Sequence, residues 1–236
     1  MIMLSLVIPC YNEAQSLPSL IHRCHEVFAD TDIECVIVDN GSTDETPHLL
    51  KGLLAHKKNI RSLRVPQNRG YGDGILYGLK SCQTPFLAWT HADLQTDPHD
   101  VLRAYQTIQK QANPMHCMVK GRRYGRSLWD QFFTFGMSIF SSVMLKCWMF
   151  DINAQPNLIS RSFFESWVHP PHDFSLDLYA YYQARKQALK VVRLDVFFGD
   201  RQHGVSHWNF SLLSKYKFIK RTVDFTFKLK HENLLK

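Results

Sequence analysis

Short apolar runs alternate with polar, turn-forming clusters through residues 1–98 of the chain. Residues 3–9, 33–38, 60–65 and 85–90 are each apolar and β-friendly, and each is bounded by turn-forming residues. Runs of this length predict buried strands. A polar loop follows each run, and helical apolar spacing follows the loop, as in Leu17, Leu20 and Ile21 after the first. Strand, loop and helix repeated four times predict an α/β fold, a mostly parallel sheet with helices on both faces. Such sheets collect ligands at the carboxyl ends of their strands. Further along, a strand ends near residue 119, and residues 191–198 read as another.

The loops hold the candidate chemistry. Pro9-Cys10-Tyr11-Asn12-Glu13 closes the first strand, and Asp39-Asn40-Gly41-Ser42-Thr43-Asp44 makes a tight turn whose Ser or Thr can cap the next helix. Gly70-Tyr71-Gly72-Asp73-Gly74 has glycine at every second position. That is neither the dinucleotide fingerprint nor the phosphate loop, so neither a Rossmann oxidoreductase nor a P-loop NTPase has motif support. After the fourth strand, His91, Asp93 and Gln95 alternate before Pro98. Spaced by two in an extended segment, the three side chains converge and can seat a divalent cation carrying phosphates. The competing reading makes Asp93 a helix cap.

Residues 132–150 form the longest apolar and aromatic stretch. Lys146 lies inside it, at a cost of roughly 2.5–3.5 kcal/mol at the centre of a spanning helix, and Gly136, Ser138, Ser141 and Ser142 dilute it. One or two helices at a membrane interface, or a cover over a binding groove, fit better than a membrane span. A core helix is the plainer alternative. Residues 209–236 alternate aromatics with lysines and read as a basic amphipathic helix for an anionic membrane surface.

Composition narrows the partners. With 45% hydrophobic and 21% charged residues in 236, the chain is an ordinary folded protein, and its net charge of +7 points to an anionic partner. No nucleic-acid-binding motif is present, so nucleic acid is not expected. The six cysteines have no paired spacing and read as reduced thiols in the cytoplasm. No signal peptide and no spanning helix is evident, which implies peripheral membrane association at most.

Four segments, Val7-Ile8-Pro9-Cys10-Tyr11-Asn12-Glu13, Val38 to Asp44, Asn68-Arg69-Gly70 and Ala92-Asp93-Leu94-Gln95, together resemble the family 2 glycosyltransferases of GT-A fold. Within that family the likeness is greatest to the dolichyl- or polyprenyl-phosphate sugar transferases. The resemblance implies one GT-A domain over residues 1–208, with a nucleotide-sugar half (1–98) and an acceptor half (99–208), followed by the basic segment 209–236. It also implies an inverting transfer from a nucleotide-sugar donor, with Mg²⁺ or Mn²⁺. Pro9, Tyr11 and Glu13 would line the base and ribose pocket. Asp39 would bond the base, with Gly41, Ser42 and Gly70 permitting close approach. Asp93 and Gln95 would hold the metal. Relatives usually carry a carboxylate where this chain has His91, which suits Mn²⁺ better than Mg²⁺ or else faces the donor.

On the acceptor side, the likeness makes Arg122 and Arg126 candidates for an acceptor phosphate, and Arg201, in Arg201-Gln202-His203-Gly204-Val205-Ser206, a contact to the donor diphosphate. Asp177 falls where relatives place an acidic residue. A sugar hydroxyl acceptor would use it as general base, whereas an ionised lipid phosphate needs none. The expected acceptor is a polyprenyl phosphate. The alternatives are a glycan or lipid-linked hydroxyl, or a degenerate chain that binds nucleotide sugar without turnover.

Overall fold

A computed structural model of the protein describes residues 2–199 and 212–234. The four expected strands are β1 (Leu4–Cys10), β2 (Ile33–Asp39), β3 (Ile60–Arg64) and β4 (Phe86–Trp89). They alternate with α1 (Leu17–Phe28), α2 (Thr46–Leu54), α3 (Tyr71–Lys80) and α4 (His99–Gln109). Proline within the first turns of α1 and α2, and Pro98 at the start of α4, place a residue without an N–H where a helix has none to satisfy.

The rest of the chain supplies β5 (Cys117–Tyr124), α5 (Leu128–Leu145), β6 (Asn157–Ser160), α6 (Arg161–Glu165), α7 (Leu176–Lys186) and β7 (Lys190–Phe197), and α8 (Leu212–Leu234) follows. The seven strands form one sheet in the order β3-β2-β1-β4-β6-β5-β7. All neighbours run parallel except that β6 lies antiparallel between β4 and β5. The strand order reverses between β1 and β4, which is where a doubly wound sheet opens a crevice for ligand.

Alternate residues of the central strands feed two cores. Leu6, Ile8, Cys35, Ile37 and Ala88 meet α1 and α4 on one face. Val7, Val36, Val38, Leu87 and Trp89 meet α3 and α7 on the other. With both faces covered, these strands need apolar residues at every position, and each fully buried Leu, Ile or Phe contributes roughly 1.5–3 kcal/mol.

The apolar stretch falls mainly in one helix, α5, capped by Ser127, whose Oγ accepts the Asp130 N–H, and ended by Lys146 in the left-handed conformation; residues 147–150 lie beyond it. Its polarity is inverted. Ser138, Ser141 and Ser142 face inward while Trp129 and Phe132 are 76% and 68% exposed. Ser138 Oγ accepts the Asp151 N–H, and Ser142 Oγ exchanges hydrogen bonds with the Met149 backbone, so the serines tie α5 to the segment that follows it. α8 packs beside α5 through Phe140 and Phe227, and its Leu229 joins a small core with Leu145, Tyr179 and Tyr182. No helix among the described residues is long and apolar enough to cross a membrane. All six cysteines are free, five of them buried.

Candidate active site

Three loops meet at the carboxyl ends of β1, β2 and β3. The Asn12 N–H donates to Ser42 Oγ (3.0 Å), the Thr43 N–H to Asn12 Oδ1 (2.9 Å) and the Glu13 N–H to Thr46 Oγ1 (3.0 Å), which lock the first loop to the second. Asp39 Oδ1 accepts the Ser42 N–H at 2.9 Å and shapes the turn. Gly41 has φ +74°, and a Cβ there would lie 2.6 Å from Asn68 N, so both the turn and the approach of the third loop require glycine. Asn40 Nδ2 donates to Gly70 O (2.8 Å) and completes the tie. Gly70, at φ +120°, sits against the His172 carbonyl, which a Cβ would meet at 2.5 Å.

This lattice leaves two buried acceptors unbonded. Asp39 Oδ2 and Asn40 Oδ1 have no hydrogen-bond partner, although Arg64 Nε lies 3.5 Å from Asp39 Oδ2 as an ion pair. A buried carboxylate oxygen without a donor is costly unless a ligand supplies one. Beside it, Pro9 is half-buried, Glu13 holds Ser16, and Tyr11 is exposed over the loop.

The segment after β4 is bent rather than extended. Leu94 is left-handed (φ 56°), and Asp93 Oδ1 accepts the Gln95 N–H at 3.2 Å. The expected two-residue alternation of His91, Asp93 and Gln95 is therefore replaced by an Asx turn. Asp93 is buried, His91 lies 5.2 Å from the Tyr71 ring, and Gln95 exchanges backbone and side-chain hydrogen bonds with Gly199. Gly199 leads into residues 200–211, so Arg201 lies outside the described residues.

Asp177 is 1% exposed and receives hydrogen bonds from Trp89 Nε1 (2.8 Å), Asn157 Nδ2 (3.1 Å) and Gln155 Nε2 (3.1 Å). A carboxylate enclosed in this way does not reach an acceptor hydroxyl, so the geometry does not suit the general-base role considered from sequence. Lys120 belongs to the same buried cluster, donating to Asn157 Oδ1 (2.7 Å) and the Ala154 carbonyl (3.0 Å). Burial pulls its pKa down to about 7, against the opposing pull of Asp177. Gln155 also donates to the Tyr71 hydroxyl (3.1 Å), whose pKa is pushed well above the usual phenol range by burial, then by Asp177 and Asp93.

At the carboxyl end of β5, Arg122 is exposed and paired with Asp195. Arg123 binds the buried Asp151, and although burial opposes ionisation, Arg123 holds that carboxyl below its usual range. Arg126 donates to Thr134 Oγ1 (2.8 Å) and lies 4.0 Å from Asp151, its guanidinium pKa lowered by burial and by Arg123. The structure thus gathers Pro9, Tyr11, Glu13, Asp39, Gly41, Ser42 and Gly70 into one lattice of loops. His91 stands beside Tyr71, and Arg122 and Arg126 line the β5 end of the same sheet edge. Sequence reasoning missed Lys120, Gln155, Asn157 and Trp89. The one available signal was a lysine inside the buried run Met118-Val119-Lys120.

Residues 5–164 match the family described as Glycosyl transferase family 2. An undecaprenyl-phosphate 4-deoxy-4-formamido-L-arabinose transferase of Pseudomonas syringae pv. syringae is 36% identical over 110 residues, 45% of this chain and 32% of that protein. Its counterpart in Pseudomonas fluorescens is 36% identical over 103 residues, 42% of this chain and 30% of that protein. The chain spans about a third of the length of these curated relatives. Glucosyl-3-phosphoglycerate synthase from Mycobacterium tuberculosis, solved with Mn²⁺, UDP and glucosyl-3-phosphoglycerate, superposes with a TM-score of 0.74 at 16% identity, covering 97% of this chain and 79% of that one. The same enzyme solved with Mg²⁺ and UDP gives 0.72 at 16% identity, covering 97% and 79%. The fold is GT-A, and the chain belongs to glycosyl transferase family 2.

Proposed function

We propose that the protein is an inverting glycosyltransferase that moves a sugar from a nucleotide-sugar donor to a polyprenyl-phosphate-type lipid at the cytoplasmic membrane surface. The observation that carries this reading is the loop lattice around Asp39, whose buried Oδ2 has no hydrogen-bond donor at the carboxyl edge of the sheet. A base N–H supplies that donor. Pro9, Tyr11 and Glu13 flank the base and ribose, and His91, beside Tyr71, faces the donor.

The residues present fit a divalent cation. Asp93 offers a buried carboxylate, Gln95 an amide oxygen and His91 an imidazole, a set suited to Mg²⁺ or Mn²⁺. No group of three His, Cys, Asp or Glu among the described residues is placed to hold a metal by itself. These residues would supply a partial set, leaving room for donor diphosphate oxygens as Mg²⁺ sites commonly do. When bound, the cation neutralises charge on the departing nucleoside diphosphate. Arg201 would add fixed charge there.

The acceptor reading follows from charge. A phosphate oxygen is already ionised, so it attacks the anomeric carbon without a base while the nucleoside diphosphate leaves, and enclosed Asp177 has no proton to take. Arg122 and Arg126 are the acceptor's cations. The exposed Arg122–Asp195 pair is of the kind that holds weakly, so an incoming phosphate can displace Asp195. The inverted face of α5 and the basic α8 support membrane contact, and the relatives named for undecaprenyl phosphate support the lipid. The test is incubation of the protein with a panel of nucleotide sugars, Mn²⁺ or Mg²⁺ and a short-chain polyprenyl phosphate. A glycosylated lipid with release of nucleoside diphosphate is expected from one donor. Nucleotide binding with no product under any pairing would favour the binding-only reading.

A further inference from the structure

His91 depends on packing for its orientation. Among the described residues no hydrogen bond reaches its ring nitrogens. Its imidazole lies instead against the Tyr71 ring, with centroids 5.2 Å apart and planes tilted by 32°, a separation typical of attractive ring contacts. The outer torsion of a histidine is broad when nothing restrains it. A ring laid on a second, fixed ring is restrained, and both of its nitrogens stay free for a ligand.

Tyr71 is fixed at three points. Its backbone opens α3 directly after Gly70, whose carbonyl accepts Asn40 Nδ2 (2.8 Å) and whose N–H donates to Asn68 Oδ1 (2.8 Å). Its ring stacks on Phe174, with centroids 4.5 Å apart and planes 5° from parallel. Its hydroxyl accepts Gln155 Nε2 (3.1 Å). Gln155 in turn has one usable orientation. Its Oε1 accepts Asn157 Nδ2 (2.8 Å), so its nitrogen end meets the Asp177 carboxylate and the Tyr71 hydroxyl. A flipped amide would set oxygen against the carboxylate and nitrogen against nitrogen. The buried cluster around Asp177 thus ends at the ring on which His91 rests.

We propose that Tyr71 is the positioning residue for His91, and that Gln155 and Phe174 hold Tyr71 in that role. The consequence for ligand rests on the proposed function, in which His91 faces the donor. The plainer role for Tyr71 is to pack α3 on the sheet. Loss of packing alone would weaken ligand binding whether or not His91 is present, whereas a positioning residue acts only through the side chain it positions.

The test is a double-mutant cycle read as the dissociation constant of a nucleoside diphosphate with Mn²⁺, the probe being whichever of UDP, GDP, CDP and ADP the wild type binds. The variants are Tyr71→Leu, Tyr71→Phe, His91→Ala and Tyr71→Leu/His91→Ala, and melting temperatures report their folding. Tyr71→Leu is expected to weaken binding by about tenfold, a coupling within the range of contacting residues, and to add nothing in the His91→Ala background. Tyr71→Phe keeps the ring and should bind near the wild-type level, since Gln155 Nε2 still donates to Asp177. Should Tyr71→Leu fail to fold, Phe174→Ala carries the same cycle. Phe174 is 43% exposed, so its truncation spares the fold while freeing the Tyr71 ring, and its smaller loss should also vanish without His91. Equal losses with and without His91, no loss in His91→Ala, or a Phe variant as weak as the Leu variant would each overturn the inference while leaving the donor site standing. A wild type that binds none of the four nucleotides would count against the proposed function and overturn the inference with it.

Discussion

Trp89 Nε1 donates to Asp177 Oδ1 at 2.8 Å, joining the end of β4 to the first turn of α7. The bond sets the floor of the candidate active site, because Trp89 precedes the bend that carries His91 and Asp93. It also brings Asp177 to Gln155 and Asn157, so one carboxylate gathers three donors from two distant parts of the chain.

Asp177→Asn should therefore act through stability. The amide would turn an N–H₂ toward neighbouring donors and leave at least one of them unpaired, at a cost of about 1–3 kcal/mol. Urea unfolding should show this loss, while transfer to lipid phosphate per folded molecule stays near wild type. Full stability with abolished transfer would restore Asp177 as a base.

Lys120 gives a pH prediction. Its folded pKa is about 7 and burial is the cause, so between pH 7 and its unfolded value the unfolded chain binds the extra proton. Stability from this group thus rises with pH above 7, by at most ~1.4 kcal/mol per pH unit. Below pH 7 both states are protonated and the contribution is flat. Urea midpoints measured from pH 6 to 9.5 should show the rise in wild type and lose it in Lys120→Met.

Gly41→Ala tests the loop lattice. The added methyl would meet Asn68 N at 2.6 Å in a backbone with φ +74°. Strain of this kind costs roughly 1–3 kcal/mol, and relief requires the second and third loops to part. A lower melting temperature together with lost nucleotide stabilisation is expected, whereas Gly52→Ala, where nothing lies within 4 Å, should leave both intact.

Trp129→Ser/Phe132→Ser tests the outward face of α5. Both side chains are largely solvent-exposed, so stability should change by about 0.5 kcal/mol or less. Co-sedimentation with anionic vesicles should fall sharply. Unchanged sedimentation would assign membrane contact to α8 alone.

The first four strands and their loops were legible because each is an apolar run of several residues ended by a cluster of turn formers. β6 was not, since Asn157–Ser160 is four residues long and shows no periodicity, and its antiparallel insertion depends on partners distant in sequence. The alternation of His91, Asp93 and Gln95 suggested an extended segment, but the Asp93 side chain competes for the Gln95 N–H and closes a turn instead. α5 was legible as an apolar helix outside the membrane span class. Which of its faces turns inward was not, because Ser138 and Ser142 are held by backbone groups of residues 151 and 149, distant partners that helical periodicity does not reveal. Asp177 read as a candidate general base, and its enclosure with Lys120 in one buried cluster came only with the fold.

The most direct test of the central claim is the melting temperature measured against a panel of nucleoside diphosphates and nucleotide sugars, each with Mn²⁺, Mg²⁺ or EDTA. A ligand at 100 times its dissociation constant adds roughly 2.7 kcal/mol, which a melting curve resolves. The account predicts a shift with one nucleotide that EDTA removes, and that Asp39→Ala and Asp93→Asn each diminish. No shift with any nucleotide, or an equal shift in both variants, would contradict it.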